Sequence, residues 1–262
     1  MPSTNVRHDR WAGHIALTML AAAGIGGVAL VALVIALAYA NPSATADRLE
    51  RFGIGVPRTA AFADQMRRQL WRLDRNLEPG HALFFGDSHV QTLDVAAVVP
   101  GAVNFGIGGE TAGQLAERMR HYSSLAGASI VVLLTGTNDL RQHINVDEIA
   151  DHVASIVAIV PADIPVVLVS ALPEGRELTA DVSPVRIRDL NQALRAVCDA
   201  RCRFIDVFAR LADSDGFLRP LYDEGDGIHL SPHGAAVLRG ALRTVIDDAT
   251  DRRSLDRAGR QK

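Results

Sequence analysis

Cysteine and lysine are scarce in this 262-residue chain, which contains two cysteines and, among its 27 basic residues, a single lysine at Lys262. Two cysteines are too few for a disulfide scaffold or for a zinc site with four thiolates. An excess of charge of one sign is also missing, since the net charge is −3 and the pI is about 6.3. The positive field that neutralises phosphates is therefore absent, and we expect no nucleic-acid partner.

The composition is that of a folded protein. Apolar residues make up 48% of the chain and charged residues 22%, so burial of apolar surface is sufficient to offset the entropy lost on ordering. Extensive disorder is therefore not expected. The length allows one large domain or two small ones.

An uncharged run near the N-terminus accounts for the mean hydropathy of +0.12, which is high for a soluble protein. Residues 15–40 contain no charged side chain. As a helix they would extend about 39 Å, enough to cross a hydrocarbon core of roughly 30 Å. Lipid offers backbone groups no hydrogen-bond partners, so a spanning segment of this kind must be helical. We predict a transmembrane signal anchor at 15–40, preceded by a short tail at 1–14.

A cleaved signal peptide is the alternative to an anchor. Ala38-Tyr39-Ala40 ends the run in the pattern of a cleavage site, but the run is about twice as long as the apolar region of a signal peptide. Basic residues flank the run on both sides, so they do not set its orientation. The short N-terminal tail and the large C-terminal part favour a cytoplasmic N-terminus and an extracytoplasmic domain.

A linker and a juxtamembrane helix are predicted at 41–78, with the helical pattern beginning at Pro57 and ending near Leu77. From residue 79 to residue 249, continuous apolar runs alternate with amphipathic segments, which predicts a parallel sheet covered by helices on both faces. The predicted strands are 81–86, 102–107, 129–136, 164–171 and 202–208, and the predicted helices are 111–124, 146–160, 184–199 and Ser231 to about Asp248. The charged residues 250–262 are predicted to form a disordered tail.

Polar residues cluster after three of the predicted strands and just before the last predicted helix. In an open parallel sheet, active-site residues lie in the loops beyond the carboxyl ends of the strands. The clusters are Gly86–His89, Asn104–Thr111, Gly136–Asp139 and, just before the last helix, Asp226–His229. Together they supply a hydroxyl, an imidazole, a carboxylate and hydrogen-bond donors, which are the groups that acyl transfer requires.

Three residues of these clusters are candidates for a catalytic triad. Ser88 is the predicted nucleophile, and a serine hydroxyl needs a base that takes its proton as it attacks. His229 is the predicted base, and Asp226 is the carboxylate predicted to hold its tautomer and to stabilise the imidazolium. Asp223 lies farther from the histidine in sequence, and we expect it to face solvent at the edge of the cleft.

The same clusters contain donors for an oxyanion hole. A tetrahedral intermediate needs hydrogen-bond donors directed at its oxyanion. The backbone N–H groups of Ser88 and Gly109 and the side-chain amide of Asn138 are the predicted donors. Glycine at position 109 also lets the backbone come close to a substrate.

In this order, the four clusters resemble the sequence blocks of the SGNH (GDSL) hydrolase family. Ser88, Gly109, Asn138 and His229 match its four name-giving residues, and Asp226 matches its triad carboxylate. The stretch NFGIGGET at 104–111 resembles the second block of the branch similar to platelet-activating-factor acetylhydrolase. The resemblance covers residues 79–249, and its one small departure is a histidine, residue 89, where the family name has leucine.

The resemblance implies a three-layer flavodoxin-like fold with a five-stranded parallel sheet, serine esterase chemistry and no cofactor. It does not name a substrate, because the family cleaves acetylated sugars, lipids, thioesters and simple esters. We predict a membrane-anchored esterase that acts outside the cytoplasm on small acyl esters, such as acetyl groups of envelope glycans or lipids. An acyl transferase that passes the acyl group to a glycan is one alternative. A catalytically silent binding module is another, although the intact triad argues against it.

Two other interpretations of the clusters fail on spacing. A dinucleotide-binding G-x-G-x-x-G motif beginning at Gly106 would need glycine at 111, which is Thr111. Asp226, His229 and His233 could suggest a metal site, but Pro232 interrupts their spacing. We therefore predict no metal site.

Three smaller questions stay open at the level of sequence. His89 beside the predicted nucleophile either lines the mouth of the substrate pocket or is solvated. The loop at 141–143 shapes substrate selection or is solvated. Cys198 and Cys202 form a disulfide closing a very small loop, or they are two half-buried thiols.

Overall fold

The computed structural model describes residues 58–179, 182–198 and 202–260. The predicted N-terminal tail, membrane anchor and most of the linker precede residue 58, so these predictions lie outside the described residues. Within the described ranges, no helix is long and apolar enough to cross a bilayer.

Five parallel strands form one sheet, as the apolar runs predict. They are β1 (Ala82–Gly86), β2 (Val103–Gly106), β3 (Ile130–Leu134), β4 (Val166–Val169) and β5 (Cys202–Ile205). Their spatial order is β2-β1-β3-β4-β5, and every neighbouring pair is parallel. Each strand is shorter than its apolar run, because the ends of the runs continue into loops and short helices.

Eight α-helices accompany the strands in the described part of the chain. They are α1 (Arg58–Asp74), α2 (Ser88–Gln91), α3 (Ala112–Met119), α4 (Thr137–Arg141), α5 (Val146–Ile159), α6 (Pro184–Val197), α7 (Phe208–Leu211) and α8 (Pro232–Arg260). Three short 3₁₀ helices lie at Ser123–Gly127, Arg176–Leu178 and Pro220–Tyr222.

The sheet separates two apolar clusters because successive side chains of a strand point to opposite faces. Leu83 and Phe85 of β1 pack on one face with residues of α1, α3, α5 and α6, while Ala82 and Phe84 pack on the other with residues of α2, α7 and α8. All four of these β1 side chains are buried. The result is the predicted arrangement of helices on both sides of a parallel sheet.

The strand order predicts that a ligand-binding crevice opens beyond the ends of β1 and β3. The chain runs from β1 outward to β2 and then returns to β3 on the other side of β1. In sheets of this order, the loops after the two strands at such a reversal diverge and leave a crevice. Ser88 follows β1 and Asn138 follows β3, so the fold places both predicted site residues at this crevice.

Several helical predictions need correction. The short helices α2, α4 and α7 were not predicted, since four or five residues are too few for a helical periodicity to show. The pattern at 111–124 predicted one helix, whereas α3 ends at Met119 and a 3₁₀ turn follows. The last helix continues to Arg260, beyond its predicted end near Asp248. No proline interrupts that stretch, and alanine, leucine and arginine favour a helix.

The two cysteines form a disulfide at the start of β5. The sulfur atoms of Cys198 and Cys202 are bonded, and their Cα atoms are 4.8 Å apart. The disulfide joins the residue after α6 to the first residue of an edge strand. The sequence left open whether these cysteines form a disulfide or remain thiols, and in the structure they form the disulfide.

Candidate active site

Ser88 occupies the first position of α2, in the tight turn that follows β1. Asp87 is the N-cap of this helix, and one of its carboxylate oxygens accepts the backbone N–H of His89 at 3.0 Å. The residue before this cap must be glycine, because a β-carbon on Gly86 would lie 2.0 Å from the carbonyl oxygen of Leu134 in β3. The Ser88 hydroxyl is therefore not needed as a cap and is available for other contacts.

The structure brings Ser88 and His229 together although 141 positions separate them in sequence. The hydroxyl of Ser88 lies 3.0 Å from Nε2 of His229, and Nδ1 of the same ring lies 2.6 Å from a carboxylate oxygen of Asp226. When Nδ1 donates its proton to Asp226, Nε2 accepts the proton of the serine hydroxyl. The predicted nucleophile, base and carboxylate thus form one continuous hydrogen-bonded chain.

Asp226 is held in place by its own turn. Its other carboxylate oxygen accepts the backbone N–H groups of Ile228 and His229, both at 2.8 Å. Partial desolvation raises the pKa of Asp226, but the hydrogen bonds from His229 and from these two N–H groups outweigh it and lower the pKa to about 2. This carboxylate is therefore ionised at neutral pH, as a partner for an imidazolium must be.

Asp223 was expected to face solvent, and the structure gives it a different position. Its carboxylate accepts the backbone N–H groups of Gly225 and Gly227 at 2.8 and 3.0 Å, and the residue is half-buried. These hydrogen bonds stabilise the turn that carries Asp226, and the imidazole of His229 is hydrogen-bonded to Asp226.

Two of the three predicted oxyanion donors, Gly109 and Asn138, lie on neighbouring loops beyond the turn of Ser88. A hydrogen bond of 3.2 Å from the N–H of Glu110 to the carbonyl of Ile107 closes a turn in which Gly109 has φ +79°, a conformation that glycine adopts without strain. A β-carbon on Gly108 would lie 3.6 Å from the β-carbon of Ser88, so this turn adjoins the serine. The side-chain amide of Asn138 donates to the carbonyl of Glu110 at 3.1 Å, which connects the second loop to the first.

A buried ion pair lies behind this turn, and the sequence analysis missed it. Arg118 donates to both carboxylate oxygens of Glu110 at distances of 2.6 to 3.1 Å. The exposed fractions of the two side chains are 5% and 1%. Burial alone would lower the pKa of Arg118, but the charge of Glu110 together with the hydrogen bonds to Glu110 and Tyr122 outweighs burial and raises it. The sequence offered one signal for this pair, an arginine on the face of α3 that carries the apolar residues. Periodicity alone, however, does not show whether such an arginine is buried or reaches the solvent.

Two further ionisable groups beside Ser88 are buried. Burial raises the pKa of Asp87 to about 7, and the neighbouring charges of Asp139 and Glu110 act in the same direction. Burial and the proximity of His229 lower the pKa of His89 to about 4, so this ring is neutral at neutral pH. Of the two alternatives for His89, solvation is therefore wrong.

In the loop at 141–143, Gln142 and His143 are exposed, whereas Arg141 is partly buried. Arg141 donates to the carboxylate of Glu174 at 3.1 Å, and the side chain of Glu174 is 3% exposed. The segment after Glu174 reaches the Asp226 turn, since the N–H of Gly175 donates to the carbonyl of Gly227 at 2.7 Å. Arg141 thus lies on the rim that joins the Asn138 loop to the Asp226 turn.

Asp87→Asn is expected to stabilise the protein at alkaline pH. The folded state holds a proton on Asp87 up to a pKa of about 7, whereas an unfolded aspartate, with its ordinary pKa of 3.8, is ionised above about pH 4. Stability is therefore lost as the pH rises from about 4 to 7. Asparagine carries no charge at any pH and removes this loss. At pH 8 the free energy of unfolding of the Asp87→Asn variant should therefore exceed that of the wild type by up to about 4 kcal/mol.

Thermal unfolding of both proteins between pH 4 and pH 8 measures this difference. Asp94→Asn is the matched control, since exposed Asp94 likewise accepts one backbone N–H, that of Ala97, at 3.1 Å. A difference between Asp87→Asn and the wild type that is the same at pH 4 and pH 8 would contradict the burial argument.

The four clusters match one known sequence family. The model of the GDSL-like lipase/acylhydrolase family matches residues 84–237, which is more than half of the chain. This chain belongs to that family. The matched region extends from β1 into α8 and includes every predicted site residue, and membership establishes the chain as a serine ester hydrolase of the SGNH type.

Solved structures of this family share the fold. A protein from Streptococcus pneumonia named for platelet activating factor is 25% identical, with a TM-score of 0.67 over 78% of this chain and 99% of that one. A GDSL-like lipase from Bacteroides thetaiotaomicron is 23% identical, with a TM-score of 0.62 and coverage of 70% and 98%. A catalytic mutant of Axe2, an acetylxylan esterase from Geobacillus stearothermophilus, is 22% identical, with a TM-score of 0.53 and coverage of 63% and 92%. No curated protein matches the chain by sequence at a significant level.

Proposed function

We propose that this GDSL-like enzyme hydrolyses small acyl esters, of acetyl type, through a Ser88–His229–Asp226 triad and a covalent acyl-enzyme. The observation that carries the proposal is the continuous hydrogen-bonded chain from the serine hydroxyl to the aspartate, with distances of 3.0 and 2.6 Å. It lies at the carboxyl edge of the sheet, where the fold opens its crevice. The serine hydroxyl has the base and the carboxylate that nucleophilic catalysis requires.

In the first half of the reaction, Nε2 of His229 takes the proton of Ser88 while the serine oxygen attacks the ester carbonyl carbon. The carbonyl oxygen becomes an oxyanion, which accepts hydrogen bonds from the N–H groups of Ser88 and Gly109 and from the Asn138 amide. The imidazolium is stabilised by ionised Asp226. Collapse of the intermediate breaks the bond to the alcohol oxygen, and His229 donates its proton to that oxygen.

In the second half, His229 takes a proton from a water molecule whose oxygen attacks the acyl carbon of the acyl-enzyme. The second tetrahedral intermediate uses the same donors as the first. Its collapse releases the carboxylic acid and returns the proton from His229 to Ser88. The net reaction consumes one ester and one water and yields one acid and one alcohol.

The acetyl-type specificity is inferred from a sequence resemblance, from a structural neighbour and from the segments that carry the triad. The stretch at 104–111 resembles an acetylhydrolase branch, and a structural neighbour is an acetylxylan esterase. The turn that carries Ser88 is short, and within the described residues no long apolar insertion accompanies the segment 212–231 that carries Asp226 and His229. We propose acetylated glycans or lipids as the natural substrates on these grounds.

Location outside the cytoplasm, on a membrane anchor at 15–40, is also part of the proposal. Its support is the uncharged run in the sequence and the disulfide between Cys198 and Cys202, since disulfides persist in oxidising compartments. The full chain should therefore sediment with membranes, and its domain should be open to protease from the outer side only. Protection from external protease in cells with a permeabilised outer envelope would contradict this location.

A series of p-nitrophenyl esters, tested on the full chain in detergent, measures the function. We expect turnover of acetyl to butyryl esters to exceed that of decanoyl and longer esters. Faster turnover of decanoyl than of acetyl esters would contradict the acyl-length proposal, and no turnover of any ester would contradict hydrolysis. Adding a sugar acceptor distinguishes a transferase, because the acyl group would then appear on the sugar and not as free acid.

A further inference from the structure

We propose that the buried Arg118–Glu110 pair is a positioning device for catalysis, which aligns the Gly109 and Asn138 donors toward the oxyanion. This inference rests on the proposed function and adds two residues to its machinery. Neither residue touches the triad, so both would act through the loop between β2 and α3.

Arg118 fixes this loop on both of its sides. Nη2 donates to the carbonyl of Phe105 in β2 at 2.9 Å, just before the loop begins. Nε and Nη2 donate to the carboxylate of Glu110, where the loop ends, and Nη1 donates to the hydroxyl of Tyr122 at 3.0 Å. A planar guanidinium holds such partners in a fixed relative geometry that an ammonium group does not reproduce.

Glu110 transmits this geometry to both donors through its backbone. Its N–H closes the turn that contains Gly109, and its carbonyl accepts one N–H of the Asn138 amide at 3.1 Å. An amide nitrogen carries two N–H groups, so this contact orients the amide and leaves the second N–H for the oxyanion. A shift of Glu110 would therefore displace both predicted donors together.

Stability alone is a poor explanation for the pair. Removing two charges from water is costly, and well-packed apolar residues often serve equally well or better at such positions. A second connection between the loops already exists, because the carboxylate of Asp139 accepts the N–H of Ala112 at 2.9 and 3.1 Å. Unlike that connection, the ion pair fixes the position of the turn between Phe105 and Glu110.

Arg118→Lys in the full chain tests the proposal, since it retains the charge and removes the guanidinium geometry. We expect kcat for p-nitrophenyl acetate to fall at least about tenfold with KM changed less than about threefold, because the donors are used mainly in the transition state. Arg120→Lys is the matched control, as Arg120 pairs with exposed Glu117 at 2.9 Å on the same stretch of chain. This control should leave kcat unchanged.

A double-mutant cycle with Asn138→Ala distinguishes positioning from a merely structural role. Asn138→Ala should lower kcat about 100-fold, and adding Arg118→Lys should lower it further by clearly less than it does in the wild type, since only the alignment of Gly109 then remains to be lost. If the two effects multiply instead, the pair does not act through the Asn138 donor and the proposal that it aligns both donors is overturned.

Folding is checked by circular dichroism and by labelling of Ser88 with a fluorophosphonate. If Arg118→Lys does not fold, then Glu110→Gln and the apolar double variant Arg118→Met/Glu110→Leu provide the same comparison. A folded variant of either kind with wild-type kcat overturns the inference and leaves the proposed function standing. A wild-type protein that neither turns over esters nor reacts at Ser88 overturns the proposed function itself.

Discussion

Ser88→Ala is expected to abolish ester hydrolysis, lowering kcat by at least about 10⁴-fold. In the proposed mechanism, this variant loses the atom that forms the covalent bond and keeps only the assistance of the oxyanion donors. The fold should persist, because Asp87 and not Ser88 caps α2 and because alanine is favourable in a helix. Thermal unfolding should therefore differ little from that of the wild type.

A fluorophosphonate probe measures the same prediction independently of any substrate. It should label the wild type once and should not label the Ser88→Ala variant. Ser155→Ala is the matched control, because Ser155 is an exposed helical serine whose hydroxyl donates to the carbonyl of Asp151. Labelling that persists in the Ser88 variant, or activity that survives in it, would assign the nucleophile to another residue.

Asp226→Asn should lower kcat at least about 100-fold, which corresponds to about 2.7 kcal/mol of transition-state stabilisation. The substituted amide would keep an oxygen for the N–H groups of Ile228 and His229 but would turn its NH₂ group toward Nδ1 of the ring. That contact favours the tautomer with its proton on Nε2, which cannot accept the serine proton. The carboxylate charge that stabilises the imidazolium is lost as well.

Asp223→Asn is the matched control for this prediction and should change kcat less than about fivefold. The amide oxygen of asparagine can still accept the N–H groups of Gly225 and Gly227, so the turn is retained. Both variants are compared on p-nitrophenyl acetate at pH 8. If Asp223→Asn has the larger effect, the wrong carboxylate has been assigned to the histidine.

The hydrogen bond between Asp226 and His229 was open to prediction from the sequence because it is local. The two residues are three positions apart within one turn, and Gly227 between them adopts φ +75°. Short spacings of this kind constrain which side chains meet, since the backbone between them has few conformations. The same holds for the five strands, whose apolar runs are visible without knowing what covers them.

The environment of the carboxylates and of Arg118 was not open to prediction in this way. Asp87 and Asp226 both stand in polar clusters of the sequence, yet one has a pKa of about 7 and the other of about 2. The difference arises because Asp87 is buried under other elements, whereas Asp226 stays exposed and accepts hydrogen bonds from its own turn. The hydrogen bonds of Arg118 likewise cannot be predicted from the sequence, because they depend on how β2 and the turn at Glu110 pack against α3.

By itself, the sequence determined the class of fold, the order of the strands along the chain and the residues that form the candidate triad and oxyanion hole. The tertiary structure alone decided that Ser88 meets His229 across 141 positions, that Asp87 and His89 are buried and that a buried ion pair lies behind the oxyanion turn. The physical reason is the range of the interactions. Periodicity, capping and tight turns depend on neighbours within a few residues, whereas burial, pKa and alignment depend on which distant segments pack together.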